Sequence, residues 1–192
     1  MEQEAWAYQL PVEGYRVERE DDDRVLFSYD VDGRTRIAFI AADGITDWDD
    51  GTGWGIESWA QCDPFEWPAD VTDALGIGVW TGRTGARVPT PKIRSFQGAE
   101  HCDWQDITFV TLGPRVDEDQ YVRDVEGELG ELLRSTYDGS GGLPDGATDT
   151  GLRRDGRQLW LAPGHDAAYL VSVDDPTDVE RWPAAKEPIY CM

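Results

Sequence analysis

Val25 to Val31 (VLFSYDV), Asp32-Gly33 and Arg34 to Ile40 (RTRIAFI) form the stretch that decides the fold. Two runs rich in β-branched and aromatic residues flank Asp-Gly, the pair that tolerates positive φ at both central positions of a type I′ turn. An antiparallel hairpin is therefore expected. With a plain two-residue loop, Phe27 faces Ala38 and Val25 faces Ile40 on one side, while Leu26 faces Phe39 on the other. Both faces turn apolar away from the turn, so that end of the hairpin is expected to be buried.

Outward from this hairpin, similar strand signals recur at Ile77 to Thr81, Arg87 to Pro89, Ile107 to Leu112, Gln158 to Leu161 and Ala168 to Val173, with Gly, Pro or Asp between them. Pro163-Gly164-His165-Asp166 separates the last two runs and predicts a second hairpin with His165 at its loop tip. Helical spacing of Tyr121 or Val122, Val125, Leu129 and Leu132-Leu133, with Asp117 and Gln120 as a capping box, predicts one helix. Gly127 and Gly130 each cost that helix roughly 1 kcal/mol. The same residues also fit an extended Tyr-Val-Arg piece followed by a short helical turn. A second short helix is expected near Pro68, and the Gly-, Asp- and Ser-rich stretch Asp138 to Thr150 reads as loop. The fold class expected is mainly β (β-rich α+β), an antiparallel sheet of hairpins with one or two short helices, in a single globular domain over residues 1–192.

Charge narrows the function classes. The sequence carries 39 acidic and 17 basic residues, a formal net charge of -22, spread over the chain with short runs at Glu20–Asp23, Asp47–Asp50 and Asp117–Asp119. Such a surface repels phosphate backbones, which argues against nucleic acid as a partner. Nine tryptophans and 40% hydrophobic residues argue against a disordered acidic tail. No apolar run approaches membrane-spanning length. Met1 to Tyr15 has no basic n-region or apolar h-region, so the expected compartment is the cytoplasm, or an extracytoplasmic one if the chain is a trimmed mature form.

Cys62, Cys102 and Cys191 make an odd count with no CxxC pair. Pairing Cys62 with Cys102 would close a loop of about 40 residues and stabilise by roughly 3 to 4 kcal/mol in the chain-entropy model, given an oxidising compartment. The densest group of reactive side chains is Glu100-His101-Cys102-Asp103. It defines the enzyme or metalloprotein alternative, with His101 as base or ligand. Neighbouring side chains in a strand point apart, which weakens a Cys102 nucleophile. Zinc held by Cys62, His101, Cys102 and an acid would strain a tetrahedral centre at the adjacent ligands.

Asp47, Asp49 and Asp50, within Asp47 to Gly55 (DWDDGTGWG), offer carboxylates to a hard cation such as calcium, although Gly51 stands where an EF-hand register needs an oxygen ligand. An acidic turn is the simpler expectation. Gly51 to Gly55 has no following helix to make it a phosphate loop. No cofactor is expected. Trp48, Trp54, Trp59 and Trp67 fall within twenty residues, followed by Trp80 and Trp104, so aromatic faces are candidates for partner recognition as well as for core. His165-Asp166 reads as loop polarity.

Gly55 to Pro64 (GIESWAQCDP) with Glu66, then Gly98 to Gln105 (GAEHCDWQ), resembles an actinobacterial protein family for which no activity is known. Tyr121-Val-Arg-Asp124, Asp149-Thr-Gly151, Leu159-Trp-Leu161, Ala167-Ala-Tyr169 and Glu180-Arg-Trp-Pro183 extend the likeness over most of residues 55 to 191. Ala99 and Val125 stand where that family's pattern has proline. The resemblance implies relatives without implying chemistry. The leading functional expectation is a non-enzymatic interaction or ligand-binding domain with an acidic, Trp-rich surface built on Trp48, Trp54 and Trp59. Its partner would be a protein with a basic or apolar surface. A structural component of a larger assembly is the third expectation.

Overall fold

A computed structural model describes residues 14–46, 52–74, 78–97, 103–104, 106–113 and 118–190. Among these residues the chain forms eleven β-strands in three antiparallel sheets, one α-helix and two 3-10 turns. The mainly β class expected from the sequence is the one observed. The chain divides into two compact units, Met1–Gly76 and Ile77–Met192. No helix of the described residues is long and apolar enough to cross a membrane.

The first unit is a four-stranded meander, β1 (Arg16–Glu20), β2 (Arg24–Val31), β3 (Arg34–Thr46) and β4 (Thr52–Gln61), in sheet order β1-β2-β3-β4. Asp32 and Gly33 both take positive φ, 51° and 70°, which is the backbone a type I′ turn requires. The register differs from the plain hairpin. Val31 pairs with Arg34 and Asp30 with Thr35, but Tyr29 pairs with Ile37, so Arg36 is an extra residue on β3. Beyond this bulge every pair slips by one: Phe27 faces Phe39, Leu26 faces Ile40 and Val25 faces Ala41. The Arg36 carbonyl is taken by Cys62 N–H at 2.8 Å, a tie that pairing with β2 alone would not predict. Burial is corrected too: Val25–Phe27 and Phe39–Ala41 are half-buried, whereas Val31 and Ile37 near the turn are fully buried.

After β4, Asp63 caps a 3-10 turn at Pro64–Glu66 by accepting from Phe65 N–H at 3.1 Å, and α1 (Ala69–Ala74) follows Pro68 as expected. Trp67 is buried and donates its indole N–H to Cys62 O at 3.1 Å.

The second unit holds two sheets. One is β5 (Ile93–Gln97), β6 (Thr108–Leu112) and β7 (Asp119–Arg123) in order β5-β6-β7. The other is β8 (Thr148–Arg154), β9 (Arg157–Leu161), β10 (Ala167–Ser172) and β11 (Val179–Pro183), in order β11-β10-β9-β8. The β9–β10 pair is the second hairpin read from the sequence, and His165 in its loop has φ 56°. Every residue from Ala167 to Val171 is buried, and the two-residue strand period sorts them. Ala168 and Leu170 pack with Trp80, Ile93, Val110, Tyr121, Leu159, Trp182 and Ala184. Ala167, Tyr169 and Val171 pack with Ala162 and Val179 on the other side. This explains why β10 reads as a continuous apolar run.

The helix expected around 121–133 is replaced by its extended alternative. Asp119–Arg123 is β7, and the short helical turn falls at Gly130–Leu132. Gly127 has φ 77°, outside helical space, and the buried Asp124 carboxylate accepts from Glu128 N–H at 3.0 Å and Leu129 N–H at 2.8 Å. Those bonds satisfy backbone donors that a helix would have used internally. Thr81 and Arg87 form isolated bridges instead of lying in strands. Part of the stretch read as loop, Thr148–Thr150, opens β8.

Candidate functional site

β4 has the sequence TGWGIESWAQ, in which Trp54 and Ile56 alternate with Gly53, Gly55 and Glu57. Alternation sends side chains to opposite faces of a sheet, and cross-strand partners share a face. Val17 pairs with Phe27, Phe27 with Phe39 and Phe39 with Trp59, so one row of apolar side chains crosses all four strands. Val25, Ala41 and Ile56 form a parallel row on the same face. Phe27 and Phe39 stack with ring centroids 4.8 Å apart, and Tyr15 meets Phe39 edge-on at 5.1 Å. Burial, with Tyr29 beside it, raises the Tyr15 hydroxyl above its ordinary pKa.

The bulge in the β3–β4 ladder leaves Glu57 as the extra residue, with Ile40 opposite Ser58 and Ala41 opposite Ile56. This keeps Trp59 and Ile56 on one face although three residues separate them. The opposite face carries ion pairs. Arg24 donates to Glu57 at 2.9 to 3.2 Å, Arg16 reaches Asp30 at 2.6 Å, and Ser28 donates to Glu18. Hydrogen bonds from Arg24 hold the Glu57 carboxyl below its ordinary pKa.

At the β4 end of the apolar face Trp54 is 55% exposed and Ile56 is 45% exposed, and Val17 on β1 is 52% exposed. All three clusters of buried apolar side chains among the described residues belong to the second unit. The first sheet carries its aromatic row on one face and, on the other, ion pairs beside the half-buried Leu26 and Ile40.

Trp54 is exposed and Trp59 is half-buried opposite Phe39. Trp48, Asp47, Asp49, Asp50, Glu100, His101, Cys102 and Cys191 lie outside the described residues. Asp103 is exposed with φ 57°. Cys62 carries a free thiol, half-buried, with Sγ 3.9 Å from Thr35 O. Trp80 is buried and donates to Ser95 Oγ at 3.2 Å, and Trp104 is half-buried beside Phe109. His165, the one histidine among the described residues, is not an isolated loop residue: its Nδ1 lies 2.9 Å from Asp119 Oδ2. No group of three or more His, Cys, Asp or Glu among the described residues is placed to hold a metal ion.

β4 is not legible as a strand in the sequence because its glycines suggest a turn. The period-two alternation at Trp54 and Ile56 was the available signal, and its break before Trp59 marks the bulge. Comparison with protein-family models, curated proteins and solved structures finds no match to this chain.

Proposed function

We propose that this protein is a non-enzymatic interaction domain whose first unit receives a protein partner with a basic and apolar surface. The observation that carries this reading is the exposure of Trp54 and Ile56, two residues apart on one face of the outermost strand. Large apolar side chains grouped in this way supply most of the energy at protein interfaces, and tryptophan is enriched among such anchors. Charge defines the chemistry of the partner. Residues 14–74 contain five arginines, no lysine and sixteen Asp or Glu, so a basic surface is attracted and a nucleic acid repelled.

The test is capture of the partner by immobilised full-length chain, compared with Trp54→Ala, Ile56→Ala and Trp59→Ala variants whose circular dichroism matches the parent. Trp54→Ala and Ile56→Ala are expected to lose the partner. Undiminished capture by every variant overturns the proposal.

A further inference from the structure

The two edges of the first sheet are built differently. β1 is five residues long, all exposed, and four of them are charged (Arg16, Glu18, Arg19, Glu20). β4 is ten residues long and carries one charge, Glu57. An edge strand presents unpaired N–H and C=O groups that template pairing with another chain, and charged side chains are a common protection. β1 has that protection along its length, whereas β4 has only Glu57 and the bulge at that residue. No strand among the described residues pairs with the outer side of β4.

We infer that β4 accepts a fifth strand from its partner, an extended segment in which apolar residues alternate with Lys or Arg. This rests on the interaction reading above and specifies its mode. Main-chain hydrogen bonds to the β4 edge supply affinity, and side-chain alternation supplies selectivity. On one face the added strand continues the Val17–Phe27–Phe39–Trp59 row and lays an apolar side chain beside Ile56 and Trp54. On the other face its basic side chains lie beside Glu57, which Arg24 also holds, at the edge of a unit with sixteen acidic and five basic residues over 14–74. A second copy of this chain is a poor occupant, because each copy carries a net charge of -22 and β4 itself has no basic residue to offset it.

The experiment titrates full-length protein with a ten-residue peptide of alternating Val and Lys, read by calorimetry and by backbone amide shifts. A second peptide has the same side chains but is N-methylated at alternate residues, which removes the donors needed for strand pairing. The expected result is binding of the first peptide with shifts along 52–61 and weakening by added salt. The N-methylated peptide is expected to lose at least about tenfold in affinity, as is the first peptide against Trp54→Ala/Ile56→Ala protein. Equal binding of the two peptides overturns strand addition while leaving the interaction reading intact. Failure of the first peptide to bind also overturns it. Shifts at β4 that depend on protein concentration without peptide identify a second copy as the occupant and overturn it as well. Loss of partner capture in the single variants is scored separately, so failure of the binding mode and failure of the proposed function are distinguishable.

Discussion

The carboxamide of Gln120 brackets the backbone of Ile189: Oε1 accepts from Ile189 N–H at 2.8 Å and Nε2 donates to Ile189 O at 3.2 Å. Both residues are buried. Gln120 thereby acts as a strand partner to a segment with no ladder of its own. The same segment is tied by Ala185 N–H to Gln120 O at 2.8 Å, Lys186 N–H to Leu132 O at 2.8 Å, and the Tyr190 hydroxyl to the buried Glu118, which also binds Arg94. Residues 184–190 thus form a strap along β7.

Replacing Gln120 by Ala strands two buried backbone groups, each worth about 1 to 3 kcal/mol when unpaired. Gln120→Ala is expected to lose roughly 2 to 4 kcal/mol of stability of the second unit in denaturant titration, with faster hydrogen exchange at Ile189. Unchanged exchange there rules out the bracket.

Gly55 is required by packing. A Cβ at this position would stand 2.7 Å from Ile45 Cγ2 and 2.9 Å from Ile45 Cβ across the strand pair. Gly55→Ala is expected to destabilise by roughly 1 to 3 kcal/mol, the usual cost of overpacking. Adding Ile45→Ala should recover part of the loss, a favourable coupling measured by a double-mutant cycle of unfolding free energies. Additive losses would refute the clash.

Acid should weaken the first unit. Glu18 is held below its ordinary pKa by the Ser28 hydroxyl and then Arg16, Asp30 by Arg16 and then Thr35, and Glu57 by Arg24. A depressed folded-state pKa contributes stability that is complete above the ordinary value, 4.5 for Glu and 3.8 for Asp, and is lost as pH falls through the lower folded value. Denaturation midpoints are expected to fall across and below that range. Arg24→Gln should flatten the dependence and return Glu57 towards its ordinary titration, followed by carboxyl carbon shifts.

Alkali acts on the second unit through Tyr137. Burial, reinforced by a hydrogen bond to Glu180, pushes its hydroxyl up to about 12 from an ordinary 10.0. A raised folded-state pKa contributes stability fully present below pH 10.0 and lost as pH rises through about 12. Phenolate absorbance should show this delayed ionisation. Tyr137→Phe should remove its share of the alkaline loss, and an unchanged titration curve in that variant would assign the delay elsewhere.

Short-range chemistry was legible from the residues. Asp32-Gly33 specified its hairpin because few residue pairs adopt positive φ at two successive positions. Pro163 to Asp166 specified the second loop, and Pro68 marked the start of α1. The Tyr121–Leu133 segment was ambiguous because helical apolar spacing competed with Gly127, Gly130 and the capping demand of Asp124. Local propensity alone did not decide between them.

The sequence by itself therefore determined the mainly β class, its two clearest turns and the acidic character of the chain. Tertiary structure decided the rest. The extra residue at Arg36 shifts every β2–β3 pair behind it by one, and its carbonyl is taken by Cys62 N–H, 26 residues away in sequence. Which tryptophans face solvent was likewise a tertiary decision. Trp67, between Glu66 and Pro68, is buried with its indole N–H on Cys62 O, whereas Trp54, between Gly53 and Gly55, stands on an outer strand where no neighbour among the described strands covers it. Exposure depends on which strand ends a sheet, and strand order is set by long-range pairing that no window of local sequence contains.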